Sequence, residues 1–176
     1  MCPKNLKDLK IKKILIIGFN STGGNLLLTP AIAKIRNTFK EAEFDIIVGL
    51  NGSEFAKDNP WFTRYIVLDK RKSIFRFLKQ ANKNRYDLIV NFRNSPLPFF
   101  LRAKYKMSFY RQAFLSEKNY THESKRMLNF ITPYFGTEED IHLYFPLSKK
   151  DRDNMEERLR LLGIKNSDLL VMLNPG

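Results

Sequence analysis

Lys13-Ile14-Leu15-Ile16-Ile17-Gly18-Phe19-Asn20-Ser21-Thr22-Gly23-Gly24-Asn25 is an apolar run that opens into a loop of small residues and then into a helical pattern. An apolar stretch of this length bounded by glycine reads as a strand of a parallel sheet, buried on both faces, and the helix after it completes a β-loop-α unit. Ligands of such sheets collect at that turn, where backbone N–H groups and the positive end of the helix dipole favour phosphate, carboxylate or sugar hydroxyls. Asn20, Ser21, Thr22, Gly23, Gly24 and Asn25 are therefore candidate binding residues. A plainer reading is that the glycines only permit a tight strand-to-helix turn, since glycine takes positive φ at little cost.

Two better-known glycine loops do not fit. A phosphate-binding P-loop has Gly-x-x-x-x-Gly-Lys-Ser/Thr; Gly18 and Gly23 keep that separation, but Gly24 and Asn25 stand at the Lys and Ser/Thr places. A dinucleotide fingerprint has Gly-x-Gly-x-x-Gly, and the residue two after Gly18 is Asn20.

Beyond this unit, strands and helices alternate. Residues 12–18, 44–50, 65–68, 86–92, 106–110 and 169–173 are rich in β-branched and aromatic residues and read as strands. Helical patterns cover about 26–40, 73–83, 96–103, 122–135 and 148–162. The alternation predicts an α/β fold, a Rossmann-like doubly wound and mostly parallel sheet. Pro30 predicts an irregular opening turn in the first helix, with regular helix from Thr29 onward. Arg111 to Thr121 is the longest irregular stretch and a candidate ligand-contacting flap.

Residues 13–39 resemble the opening of glycosyltransferase family 9, the ADP-heptose:lipopolysaccharide heptosyltransferases. The matching elements are Lys13-Ile14-Leu15-Ile16-Ile17, Ser21-Thr22-Gly23-Gly24 and Thr29-Pro30-Ala31-Ile32. Further landmarks follow in the family's order: Ala42 to Val48, Tyr86-Asp87-Leu88-Ile89-Val90-Asn91-Phe92, His122-Glu123 opening a helix, and Leu173-Asn174-Pro175-Gly176. The resemblance implies one half of a GT-B glycosyltransferase, the acceptor-binding half. It implies transfer of a heptose or related sugar, with inversion and without a metal or other cofactor, from a nucleotide donor such as ADP-heptose to a lipopolysaccharide core or similar glycan. Residues 12–176 would form that domain, 1–11 an N-terminal tail, and Asn174-Pro175-Gly176 the link to a donor-binding half, so this chain alone is expected neither to bind the donor nor to transfer sugar. The chain is then either a piece of a longer protein or a natural truncation.

The resemblance breaks at one chemically important place. The family carries an acid after the loop glycine, taken as the general base that deprotonates the acceptor hydroxyl, and Gly24 stands there. Such a base must be a carboxylate or imidazole near the attacking oxygen, and neither Thr22 nor Asn25 is one. Either the base comes from elsewhere or the chain is a non-catalytic module that binds an anionic glycan, a lipid or nucleic acid.

The 176 residues carry 31 Lys and Arg against 18 Asp and Glu, a net charge of +13. Residues 64–126 alone hold 16 cations against 4 acids. So concentrated an excess implies a positive face for phosphates or an anionic membrane surface. That third has neither a zinc-finger spacing nor an RNP-like strand, which leaves an anionic glycolipid as the better-fitting partner than nucleic acid. No apolar run approaches the roughly 18 residues of a membrane helix. The N-terminus has no signal-peptide core, so a cytoplasmic protein, peripheral at the inner membrane, is expected. Cys2, the single cysteine, excludes an internal disulfide.

In a parallel sheet the ligand crevice lies outside the strands' carboxyl ends, which gives weight to basic residues that follow strands. Lys70, Arg71 and Lys72 follow the 65–68 strand, and Arg93 follows the 86–92 strand. All four are expected on one electropositive rim around residues 20–25; the resemblance likewise implies a basic cluster there that meets acceptor phosphates or acidic sugars. Arg102, Lys104 and Lys106 are weaker candidates. His122 and His142 lack metal-site spacing. In Thr121-His122-Glu123-Ser124, Thr121 reads as an N-cap, while the resemblance implies that His122 lines the acceptor cleft. The aromatic residues, Phe99-Phe100 among them, are expected in the core, the alternative being a surface stripe beside the basic face.

Overall fold

The opening apolar run forms strand β1 (Lys13–Ile17), at the centre of a five-stranded sheet in the computed structural model. The structure describes residues 6–69, 78, 79, 81–109, 122–137, 142–145, 147–165, 167–171 and 173. β1 lies between β2 (Glu43–Gly49) and β4 (Tyr86–Asn91), with β3 (Arg64–Leu68) outside β2 and β5 (Ala103–Ser108) outside β4. Every pairing is parallel. The order β3-β2-β1-β4-β5 winds outward in both directions from β1, a Rossmann-like arrangement whose switch point is the β1 carboxyl end.

Alternation along β1 sends Ile14 and Ile16 to one face and Leu15 and Ile17 to the other, and all four are fully buried because both faces are covered. Helix α1 (Thr22–Leu27) ends at Leu28 and the chain restarts as α2 (Thr29–Thr38), with Pro30 in its first turn, where the missing N–H costs no intrahelical bond. On the first face α2 packs with α5 (Glu123–Phe135), burying Ile32, Ile35, Met127 and Ile131. On the second, Ala81, Leu97 and Leu101 close over Leu15, Ile17, Ile47 and Ile89, Leu97 opening the single turn α4 (Leu97–Phe100). Ser53–Ala56 forms α3 after β2.

Several sequence expectations shift. The last strand of the sheet runs over 103–108, earlier than 106–110, and the helix expected over 96–103 shrinks to α4; Lys104 and Lys106 hide the strand signal, and lysines are the residues that protect a sheet edge. The strand expected over 169–173 is not found among the described residues there, since 169–171 and 173 pair with no ladder and are exposed. Within the stretch expected as an N-terminal tail, Leu6 and Ile11 are buried in the first core cluster. Thr121 lies outside the described residues, and the N-cap of α5 is His122, whose side chain makes no capping bond. Cys2, most of the helix expected over 73–83, the Arg111 to Thr121 flap and Asn174 to Gly176 lie outside the described residues as well.

Pro146–Gly176 forms a separate compact unit. It carries α6 (Lys149–Leu161), started by Ser148, whose Oγ accepts from the Asp151 amide at 3.1 Å.

Candidate functional site

The β1–α1 loop is held from inside by one side chain. Asn25, fully buried in the first helical turns, accepts from the Phe19 amide through Oδ1 at 2.7 Å. Its Nδ2 donates to the carbonyls of Phe19 at 3.2 Å and Ser21 at 2.9 Å. Gly18 and Gly52 are required by this packing, since a Cβ on either would collide with the Asn25 amide. Ser21 caps α1, its Oγ accepting from Gly24 N at 3.2 Å, and Thr22 Oγ1 donates to Asn51 O at 3.0 Å, fastening the loop to the turn after β2. As at any helix start, the amides of Thr22 and Gly23 have no intrahelical acceptor.

Arg93, in the turn after β4, reaches this loop. Its Nη2 donates to Asn20 Oδ1, a contact across 73 residues of sequence, while its own amide donates to Asn91 Oδ1 at 3.2 Å. Asn91 is fully buried and also donates to Ser108 Oγ at 2.9 Å and Ser95 O at 3.2 Å, tying the ends of β4 and β5 together. Arg93 Nη1 is buried without a hydrogen-bond partner among the described residues, and desolvation lowers the guanidinium's pKa, so the group is charged but under-solvated. A guanidinium in that condition favours an anion over water.

Helix α5 begins at the same end of the sheet. Phe130 meets the rings of Phe92 and Phe109, which directly follow β4 and β5, and the Arg126 guanidinium lies 4.8 Å from the Phe109 ring centroid. The helix then runs back towards the amino end, where Phe135 meets Phe39. Exposed His122 therefore lies at the carboxyl end, followed by Ser124, whose buried Oγ has no partner among the described residues.

The structure thus brings Asn20, the loop residues, Arg93 and His122 to one end of the sheet. Lys70, Arg71 and Lys72 lie outside the described residues. Two expected ligand contacts change character. The Asn25 side chain is spent inside the loop, and Gly24 has no room to spare: a Cβ there would meet Ser21 Oγ at 2.9 Å and Phe19 Cβ at 3.0 Å. At Gly23 a Cβ would meet nothing within 4 Å. Asn91 and Ser124 escape sequence reasoning because a polar residue ending a strand or opening a helix carries no chemical signature of its own. Lys104 proves to be paired with Asp87 at 2.8 Å, a bond that belongs to the amino end of the sheet.

An open groove of about 410 Å³ also lies at the amino end, lined by Thr63, Arg64, Tyr65, Ile66, Lys83 and Asn84, away from the crevice. Beside it Asp45, fully buried, accepts from Tyr86 OH at 2.8 Å and pairs with Arg64 at 3.1 Å. Burial, then the bond to Asp45, pushes the Tyr86 pKa up. These groups are spent on one another and join the strands. Among the described residues no group of three or more His, Cys, Asp or Glu could hold a metal, and no helix is long and apolar enough to cross a membrane.

A parallel sheet wound both ways from β1, with a strand-to-helix loop at its switch point, defines a Rossmann-like α/β domain, and its solved neighbours are GT-B glycosyltransferases of which it matches about half. Comparison with solved structures agrees. The glycosyltransferase family 9 protein of Veillonella parvula superposes with a TM-score of 0.72 at 16% identity, over 95% of this chain and 53% of that one. The ADP-heptose lipopolysaccharide heptosyltransferase II of Escherichia coli gives 0.57 at 13% identity, over 88% and 51%. In sequence, the lipopolysaccharide heptosyltransferase 3 of Escherichia coli is 26% identical over 115 residues, 57% of this chain and 34% of that protein. No family model matches. The chain has the fold of the family 9 glycosyltransferases and is similar in sequence to a heptosyltransferase over 57% of its length, and it spans about half the length of the solved relatives and a third of the curated one.

Proposed function

We propose that this chain is the acceptor-binding half of a heptosyltransferase-like enzyme, and that its crevice binds an anionic glycan such as a phosphorylated lipopolysaccharide core. The observation that carries the reading is Arg93, set across the β1–α1 loop with one guanidinium nitrogen buried and unpartnered. In this reading the acceptor's charged group takes the unpartnered side of Arg93 and its hydroxyls meet the loop amides. A nucleotide sugar such as ADP-heptose would be held by residues beyond this fold. The attacking hydroxyl would lose its proton to a base other than residue 24, with His122 the imidazole at the right end of the sheet.

A second reading, a non-catalytic binding module of the same fold, is favoured by Gly24 itself, since the position has neither a carboxylate nor room for one without displacing Ser21 or Phe19. Both readings share the anion site. Titration calorimetry of the 176-residue chain tests it, with a phosphorylated core oligosaccharide and its dephosphorylated form as ligands. Binding of the phosphorylated form should weaken by about ten- to a hundredfold in Arg93→Ala, the range for a lost charged hydrogen bond, with ADP-heptose not bound. Equal binding by wild type and Arg93→Ala refutes the site.

A further inference from the structure

At the other end of the sheet, α4 exposes two adjacent aromatic residues. Leu97 and Leu101 point into the core, while Phe99 and Phe100 are 63% and 61% exposed, against the expectation that they are buried. The turn is anchored to its surroundings: Asn82 Nδ2 donates to Phe100 O at 3.1 Å, and the Arg102 amide donates to Asn82 Oδ1 at 2.6 Å. Exposed cations adjoin this clamp: Arg102 is part of it, Lys79 lies three residues before Asn82 and Lys83 directly after it. From Lys70 to Ser116 the sequence holds twelve Lys and Arg against one acid, Asp87, and that carboxylate is taken by Lys104 and by the amides of Lys12 and Lys13.

From this juxtaposition we propose that Phe99 and Phe100, with the neighbouring cations Lys79, Lys83 and Arg102, are an interfacial anchor that docks the protein on an anionic lipid surface. Rings of the size of Phe reach the acyl boundary while cations beside them remain among the headgroups. A second copy of the chain fits less well, because a two-fold contact would set this cationic patch against itself. Nucleic acid also fits less well. Consecutive residues on one helical turn diverge by about 100°, so the rings offer no shared platform on which successive bases stack. The anchor lies at the amino end of the sheet, the crevice at the carboxyl end, so the proposal stands independently of the acceptor reading.

The test is flotation of the chain with phosphatidylcholine vesicles, with and without phosphatidylglycerol. Wild type should float only with the anionic vesicles. Phe99→Ser/Phe100→Ser should weaken partitioning by tenfold or more, and Lys83→Ala and Arg102→Ala by about fivefold each. Phe99→Trp should shift its indole emission to the blue on adding anionic vesicles, a readout independent of the serine variant's folding. The proposal is overturned if wild type does not float, or if the indole emission stays unchanged. It is also overturned if the double Phe variant floats like wild type, or if the rings prove to support dimerisation or oligonucleotide binding in place of vesicle binding.

Discussion

Asn25→Asp changes one atom's chemistry and almost no volume, so it isolates what holds the β1–α1 loop together. In wild type the amide nitrogen faces two carbonyl oxygens, of Phe19 at 3.2 Å and Ser21 at 2.9 Å, in a fully buried site. A carboxylate keeps the bond from the Phe19 amide but turns its second oxygen, charged, onto those two carbonyls. An uncompensated buried charge costs about 3–5 kcal/mol, a large share of a total stability of about 5–15 kcal/mol. A protonated carboxyl could donate to Ser21 O, and the loss would then fall to about 1–2 kcal/mol. Burial and the facing carbonyls raise this carboxyl's pKa in the folded state above its unfolded value. The folded state then binds more protons than the unfolded one, so the variant loses stability relative to wild type as pH rises from about 4 towards neutral, by up to about 1.4 kcal/mol per unit. Urea unfolding of both proteins across that range is the assay. A difference from wild type that is below about 1 kcal/mol and flat with pH would show that Asn25 does not hold the loop as described.

Two further outcomes follow from the same geometry. Gly23→Ala, with open space for its Cβ in a helical turn, should stabilise by about 0.5–1 kcal/mol, whereas Gly24→Ala should gain nothing or lose stability because its Cβ must displace the Ser21 cap or Phe19; thermal unfolding of the pair checks this. Burial alone would raise the Asp87 pKa, but the Lys104 ammonium and the amides of Lys12 and Lys13 outweigh it and hold the carboxyl below its ordinary value. The stability this provides is present above the unfolded-state value of about 3.9 and is lost as pH falls through the folded one. Asp87→Asn should therefore unfold less steeply with acid than wild type, which urea midpoints at falling pH would read; an unchanged slope refutes the assignment.

The fold was legible because β1, β2 and β4 are buried on both faces and carry the apolar runs Ile14–Ile17, Ile46–Val48 and Leu88–Val90, a pattern that survives without any knowledge of their partners. β5 was harder to bound: as an edge strand it carries lysines where the central strands carry isoleucine. The place of the candidate site followed from topology, since a strand-to-helix turn at the switch point is set by the sheet and not by a motif. The role of Asn25 was not legible, because nothing in Gly-Gly-Asn says whether the amide turns out to a ligand or in to the loop's own carbonyls. The exposure of Phe99 and Phe100 was hidden for a related reason. A single-turn helix has too few residues for a period, so its two apolar faces cannot be told apart by spacing alone.

The strand that organises the fold is also the one that waits longest. During synthesis β1 leaves the ribosome before either strand that flanks it, one of its edges is unfilled until β4 emerges, and Asp87 on that strand is 75 residues from the Lys12 amide it will accept from. At translation rates of about 5–20 residues per second, the interval is several seconds. Throughout it Ile14, Leu15, Ile16 and Ile17 are a ready template for pairing with another chain. The β1 segment should therefore be a binding site for nascent-chain chaperones in the cell, although none of those four side chains is accessible in the finished protein.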